Sequence, residues 1–101
     1  MWLFLSFDLP VENSQQKKAY RSFRKVFLDS GFLPLHKSLY YRWIDSEDRK
    51  ASLQAKISSA SPKDGLVALF ALRKQDGLKM LRLQNGLPLE QLLPPQPWLL
   101  C

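Results

Sequence analysis

The sequence predicts an α+β fold in which short apolar strands alternate with two amphipathic helices. The first observation is an opening run of large apolar residues, residues 2–9, which Pro10 closes. The second is a set of aromatic residues at helical spacing that ends at Gly31. The third is the apolar run of residues 66–72. A chain of 101 residues is long enough for one such domain and not for two.

Residues 2–9 are predicted to form a central strand. Alternation places Leu3, Leu5, Phe7 and Leu9 on one face. The other face carries Trp2, Phe4, Ser6 and Asp8. Because both faces are mostly apolar, the strand should be covered on both sides.

Residues 14–30 are predicted to form the first helix. Asn13 and Gln16 have the spacing of a capping box at its start. The buried stripe consists of Tyr20, Phe23, Val26, Phe27 and Ser30. Gly31 then stands where a left-handed residue commonly ends a helix.

The rest of the domain is predicted to add three strands, one helix and a further C-terminal strand. Residues 32–44 are extended, and Pro34 makes their first part an edge or irregular strand. Residues 45–48 open the second helix, which buries Leu53 and Ile57. Strands follow at residues 66–72 and 78–84, and Asn85-Gly86 turns out of the last one. The order is ferredoxin-like βαββαβ with an extra C-terminal β-strand.

This plan predicts a homodimer, because its helices cover only one face of the sheet. Trp2 and Phe4 lie on the other face and need cover. A second copy of the chain packed face to face would supply it. The predicted interface residues are Trp2, Phe4 and Tyr40.

The chain divides into a ferredoxin-like domain, residues 1–86, and a Pro/Leu-rich C-terminal tail, residues 87–101. Its prolines exclude a regular helix, and its leucines make a solvated tail unfavourable. Two interpretations stay open. The tail either folds back on its own domain or dimer mate, or it is a docking peptide for another protein.

Composition favours an anionic partner in the cytoplasm. The net charge of +6 favours nucleic acid or an anionic membrane surface. The single cysteine, Cys101, excludes an intrachain disulfide and fits a reducing compartment. The opening apolar run is too short for a signal peptide and lacks a basic start, and no segment is long enough to span a bilayer. We therefore predict a cytoplasmic protein.

A basic stripe on the first helix is the candidate nucleic-acid surface. The predicted binding residues are Lys17, Lys18, Arg21, Arg24, Lys25, Lys37 and Arg42. The alternative is a solvated helix face with no partner. Tyr40, Tyr41 and Trp43 have the chemistry to stack on bases, but core and interface roles fit them better.

Asp8 is the candidate catalytic and metal-binding residue. A carboxylate on the strand face of Trp2 and Phe4 would be poorly solvated without a cation or hydrogen-bond donors. If that face is the dimer interface, two Asp8 side chains meet near the two-fold axis, where Mg²⁺ or Mn²⁺ would relieve their repulsion. The alternative is a carboxylate that accepts hydrogen bonds from the turn of residues 9–12.

Four stretches together resemble the Cas-two family of CRISPR-associated adaptation proteins. They are WLFLSFDLP, KKAYRSFRKVFLDSGF, HKSLYYR and GLVALFALRKQ, and their order and spacing carry the resemblance. It implies ferredoxin-like homodimers in which a C-terminal strand of one protomer, here residues 78–84, adds to the sheet of the other. It also implies action with the Cas-one integrase and a metal-binding acid at Asp8. The sequence departs from the family pattern at His36 and at Arg73-Lys74.

The resulting expectation is an adaptor subunit of the CRISPR spacer-acquisition complex that binds duplex DNA as a homodimer. The tail is the candidate integrase contact. The first alternative is a metal-dependent endonuclease, acting on single-stranded RNA or duplex DNA, that uses Asp8 from both protomers. The second is a toxin-like endoribonuclease of related fold.

Overall fold

The computed structural model describes residues 1–95 and has the α+β architecture that the sequence predicts. Its elements are β1 (Trp2–Asp8), α1 (Ser14–Asp29), β2 (Leu33–His36), β3 (Leu39–Trp43), α2 (Glu47–Ala60), β4 (Leu66–Leu72), α3 (Lys74–Leu78), β5 (Leu83–Gln84) and β6 (Leu87–Pro88). The sheet has the antiparallel order β2-β3-β1-β4, which confirms the ferredoxin-like fold. No helix in this part of the chain is long and apolar enough to cross a membrane.

Strand β1 is central, as its two apolar faces predict. It pairs with β3 on one side and with β4 on the other. Leu3, Leu5 and Phe7 point toward the helices and pack with Phe23 and Phe27 in the main core. This buried aromatic cluster joins α1 to the sheet, because the ring centroids of Phe7 and Phe27 are 5.6 Å apart.

Both ends of α1 follow the sequence prediction. The Asn13 side chain accepts a hydrogen bond from the Gln16 N–H at 2.8 Å. The Gln16 side chain accepts one in return from the Asn13 N–H at 3.3 Å, which completes the capping box. Gly31 follows the helix with φ of +89°, a conformation that residues with a Cβ rarely adopt.

Replacing Asn13 with alanine should cost about 1 kcal/mol of unfolding free energy, because the Gln16 N–H at the start of α1 loses its acceptor. The measurement is urea denaturation followed by circular dichroism. The control is Gln15→Ala, an exposed neighbour outside the capping box. Equal stabilities for the two variants would contradict a capping role for Asn13.

The strand predicted over residues 78–84 is mostly wrong. The chain forms the short helix α3 up to Leu78, and only Leu83–Gln84 is a strand. The Arg73 guanidinium bonds the Asp76 carboxylate at 2.9 Å and lowers the pKa of Asp76. Strands β5 and β6 pair with each other, and Asn85 and Gly86 form the turn between them with positive φ. The predicted turn is therefore confirmed.

The argument that Trp2 and Phe4 lack cover in a single chain is also wrong. Both side chains are 1% exposed. Leu92 from the C-terminal segment and Met80 pack against them. The described part of the tail therefore folds back over its own sheet, which was one of the two interpretations. Residues 96–101 lie outside the described residues.

Tyr40 lies on the opposite face from Trp2 and Phe4. Its ring packs in the helix-side core, with its centroid 4.6 Å from that of Phe27. Tyr40 is 5% exposed and presents almost no surface to a partner. The prediction of Tyr40 as an interface residue is corrected on this ground, since alternation along β3 turns its side chain inward.

Candidate functional site

Asp8 ends β1 on the sheet face away from the helices. Its side chain is exposed, so the expectation of a poorly solvated carboxylate is wrong for a single chain. None of the hydrogen bonds or ion pairs within residues 1–95 involves this carboxylate. The turn after β1 therefore does not use Asp8 as a cap, and both oxygens face solvent.

The surroundings of Asp8 fit a metal ion only in part. Within residues 1–95, no three side chains of His, Cys, Asp or Glu lie close enough together to hold one. A single exposed carboxylate suits a hydrated Mg²⁺, which is commonly bound through one or two carboxylates together with substrate phosphates. Asp8 therefore qualifies as one ligand, and further ligands must come from a second copy, water or a nucleic acid.

The sheet face around Asp8 is apolar and open. Asp8 is paired in register with Leu66, and Phe4 with Phe70, whose ring stacks on it at 5.3 Å. Leu66 is 66% exposed and Phe70 43% exposed, although both belong to the sheet. Strand β4 is also an edge of the sheet, so its outer backbone groups are unpaired within the described chain.

The predicted basic stripe is present on α1. The side chains of Lys17, Lys18, Arg21, Arg24 and Lys25 are all exposed. Phe23 and Phe27 occupy the buried face of the same helix. The ion pairs among residues 1–95 are Glu47–Lys50 and Arg73–Asp76, so no carboxylate neutralises the stripe.

Lys37 lies at the Asp8 end of the sheet. It occupies the turn between β2 and β3 and is exposed. The neighbouring Ser38 carbonyl accepts a hydrogen bond from the Phe7 N–H at 3.1 Å, which fixes this turn beside the end of β1. The structure therefore brings Lys37 and Asp8 to the same end of the sheet.

Arg42 has a structural contact that its sequence position does not reveal. Its Nη1 donates a hydrogen bond of 2.6 Å to the Ser30 carbonyl, at the C-terminal end of α1. A cation at this end complements the helix dipole. Part of its guanidinium is thus engaged within the chain, whereas the cations of the α1 stripe form no ion pair within residues 1–95.

The sequence did not single out Arg49 and Asp45. They line a cavity with Arg42 and Trp43 at the sheet end opposite Asp8. No local signal marks them, because the cavity forms only when β3, the start of α2 and the C-terminal segment meet.

The fold and the site together define a class of protein. It is a small α+β protein with an exposed acid at the end of its first strand and a basic first helix. The family model described as CRISPR associated protein Cas2 matches residues 1–80, and the chain belongs to this family. This confirms the resemblance seen in the sequence.

Individual relatives agree with the family match. A protein from Streptococcus mutans serotype c, named CRISPR-associated endoribonuclease Cas2, is 30% identical over 86 residues, which are 85% of this chain and 78% of that protein. A protein of the same name from Lacticaseibacillus rhamnosus is 36% identical over 67 residues, or 66% of each chain. One from Paracidovorax avenae is 36% identical over 70 residues, which are 69% of this chain and 65% of that protein.

Proposed function

We propose that the protein is the duplex-DNA-binding adaptor of CRISPR spacer acquisition, working as a homodimer with the Cas-one integrase in the cytoplasm. One observation carries this proposal: five exposed cations lie on α1, and none of them forms an ion pair within residues 1–95. Such a row contacts backbone phosphates and does not read base sequence.

Electrostatics favour a nucleic acid as the partner of this surface. The net charge is +6, so the rest of the chain does not offset the stripe. Each cation that contacts a phosphate releases a condensed counterion, which makes the affinity fall steeply with salt. A homodimer doubles the number of such contacts on one duplex.

The open sheet face and the β4 edge support the homodimer. Residues 66–72 contain no charged side chain, and charges are the usual protection of a free edge. A second copy would cover Leu66 and Phe70, and it would bring a second Asp8 near the first. The C-terminal strand exchange that the family resemblance implies would fill the same edge.

The test is fluorescence anisotropy with two labelled duplexes of unrelated sequence. If each chain of the homodimer neutralises about five phosphates, the affinity of the dimer should fall about 10⁵-fold between 50 and 200 mM salt. Both duplexes should give the same affinity at each salt concentration. A salt-independent affinity, or a strong preference for one sequence, would overturn the proposal.

A metal-dependent endonuclease is the second candidate, since the relatives of this chain carry the name endoribonuclease and Asp8 is exposed, with no ion-pair partner in the described part of the chain. Asp8 from each protomer would hold Mg²⁺ or Mn²⁺. When bound, the metal would polarise a phosphate and lower the pKa of a water nucleophile. Lys37, at the same end of the sheet, would orient the substrate phosphate by charge.

Asp8→Ala separates the two candidates. In a nuclease, Asp8→Ala should abolish Mg²⁺-dependent cleavage of labelled single-stranded RNA and duplex DNA. Asp64→Ala, which removes an exposed acid near the end of the loop before β4, should not. In an adaptor, neither the wild-type protein nor Asp8→Ala should cleave these substrates. Both proteins should bind the duplex with the same affinity. Cleavage that persists in Asp8→Ala would exclude Asp8 as the catalytic ligand.

The proposal includes a contact between the integrase and the tail, residues 87–101. Removing everything after Gly86 would also remove Leu92, which covers Trp2 and Phe4. A chain ending at Pro95 keeps that cover, so a comparison of the two truncations in an integrase pull-down separates contact from folding. Unchanged integrase binding by both truncated chains would exclude the tail as the integrase contact.

A further inference from the structure

The last described segment of the chain lies across the sheet face that carries Trp2 and Phe4. Leu92 is 5% exposed and packs with these two side chains, whereas the adjacent Leu93 is 66% exposed. We call residues 89–95 the strap. Leu92 is the single buried residue of the strap, so one side chain closes this part of the face.

Hydrogen bonds hold only the start of the strap. The Leu89 N–H donates to the Arg82 carbonyl at 2.8 Å, and the Arg82 Nη2 donates to the Glu90 carbonyl at 2.6 Å. In the described part of the chain, no backbone hydrogen bond joins residues 91–95 to the sheet. The two prolines that end the strap also lack the N–H that strand pairing requires. The burial of Leu92 is therefore the main contact between strap and sheet, and another apolar surface can replace it.

The other half of the same sheet face is open. Leu66, Ala68 and Phe70 lie on it and are exposed. A stable interface takes about 800 Å² from each partner, and even a large aromatic side chain buries only about 150–250 Å². These three side chains supply a minor part of that area. A stable dimer through this face therefore also needs the half that Leu92 covers.

We propose that the strap competes with a second copy of the chain for the sheet face of Trp2 and Phe4. The proposal rests on the homodimer of the proposed function and adds what limits its formation. With Leu92 in place, the chain is a closed monomer. When the strap leaves, Trp2 and Phe4 join Leu66 and Phe70 in one apolar surface that a second copy covers.

The expected effect follows from the burial of one leucine. Burial of a leucine side chain favours the closed form about 10- to 100-fold. Both chains of a dimer must open, so the closed form weakens dimerisation by the square of this factor, about 100-fold or more.

The experiment measures the dimer dissociation constant by sedimentation equilibrium at one salt concentration. Leu92→Ser should lower this constant about 100-fold or more, because the strap loses its buried side chain. Leu93→Ser is the matched control. It makes the same change at the adjacent exposed position and should leave the constant unchanged.

Arg82→Gln keeps the test valid if Leu92→Ser does not fold. It removes the side-chain hydrogen bond to Glu90 and leaves the sheet face intact. It should lower the dissociation constant by a smaller factor than Leu92→Ser. Lys79→Gln, which removes one exposed positive charge outside the strap, is its control and should not change the constant.

The competition is overturned if Leu92→Ser dimerises no more tightly than wild type, or if Leu93→Ser tightens the dimer equally. If Leu92→Ser does not fold, an unchanged constant in Arg82→Gln overturns it. In these cases the homodimer itself stands. Failure of the homodimer is distinguishable, because wild type and every variant would then stay monomeric, and the competition would fall with it.

Discussion

Gly77→Ala is expected to lower the free energy of unfolding by about 2–3 kcal/mol, although helix propensity alone would favour alanine by about 1 kcal/mol. Gly77 is a buried residue of α3. A Cβ at this position would overlap the indole ring of Trp2. The same indole donates a hydrogen bond of 3.2 Å to the Lys74 carbonyl, so a displaced ring would also lose this bond.

The measurement is thermal and urea denaturation at one protein concentration. A loss of this size should lower the melting temperature by about 10–20 °C in a domain of this length. Gln75→Ala is the control, because it lies in the same helix with an exposed side chain. A Gly77→Ala protein as stable as wild type, or more stable, would show that α3 does not pack on Trp2.

The double charge reversal Arg21→Glu with Arg24→Glu should weaken duplex binding about 100-fold at low salt. Four units of charge change per chain, and an exposed charge contributes up to about 1 kcal/mol. The dependence of affinity on salt should become shallower, since fewer counterions are released. Both side chains are exposed, so the fold should persist by circular dichroism.

The matched control reverses two exposed cations elsewhere, Lys56→Glu with Lys79→Glu. It changes the net charge equally but leaves the α1 stripe intact. If the two double variants weaken duplex binding to the same extent, the loss is caused by the change in net charge and not by the α1 stripe. The proposed binding surface is then wrong.

Features encoded within a few residues were predictable from the sequence. The capping box of Asn13 and Gln16 and the left-handed Gly31 are local patterns, and both are present. The two faces of β1 follow from a period of two residues. The α1 stripe follows from helical spacing, because opposite faces of one helix differ in polarity.

Features that depend on distant segments were not predictable. The strand expected over residues 78–84 is largely replaced because Gly77 fits closely against Trp2, 75 positions earlier in the chain. The apolar spacing of LKMLRLQ, residues 78–84, suits a strand. Packing against the Trp2 indole ring decides the local conformation instead. Arg42 likewise bonds Ser30 only because β3 passes the end of α1.

The sequence by itself determined the order of the four sheet strands and the two long helices, the family and the basic face of α1. The tertiary structure alone decided that Leu92 covers Trp2 and Phe4, that the Asp8 side chain is exposed, and that Arg49 joins Trp43 in one cavity. The physical reason is that periodicity specifies which side of an element is buried. It does not specify which remote side chain buries it, because that depends on how the elements pack.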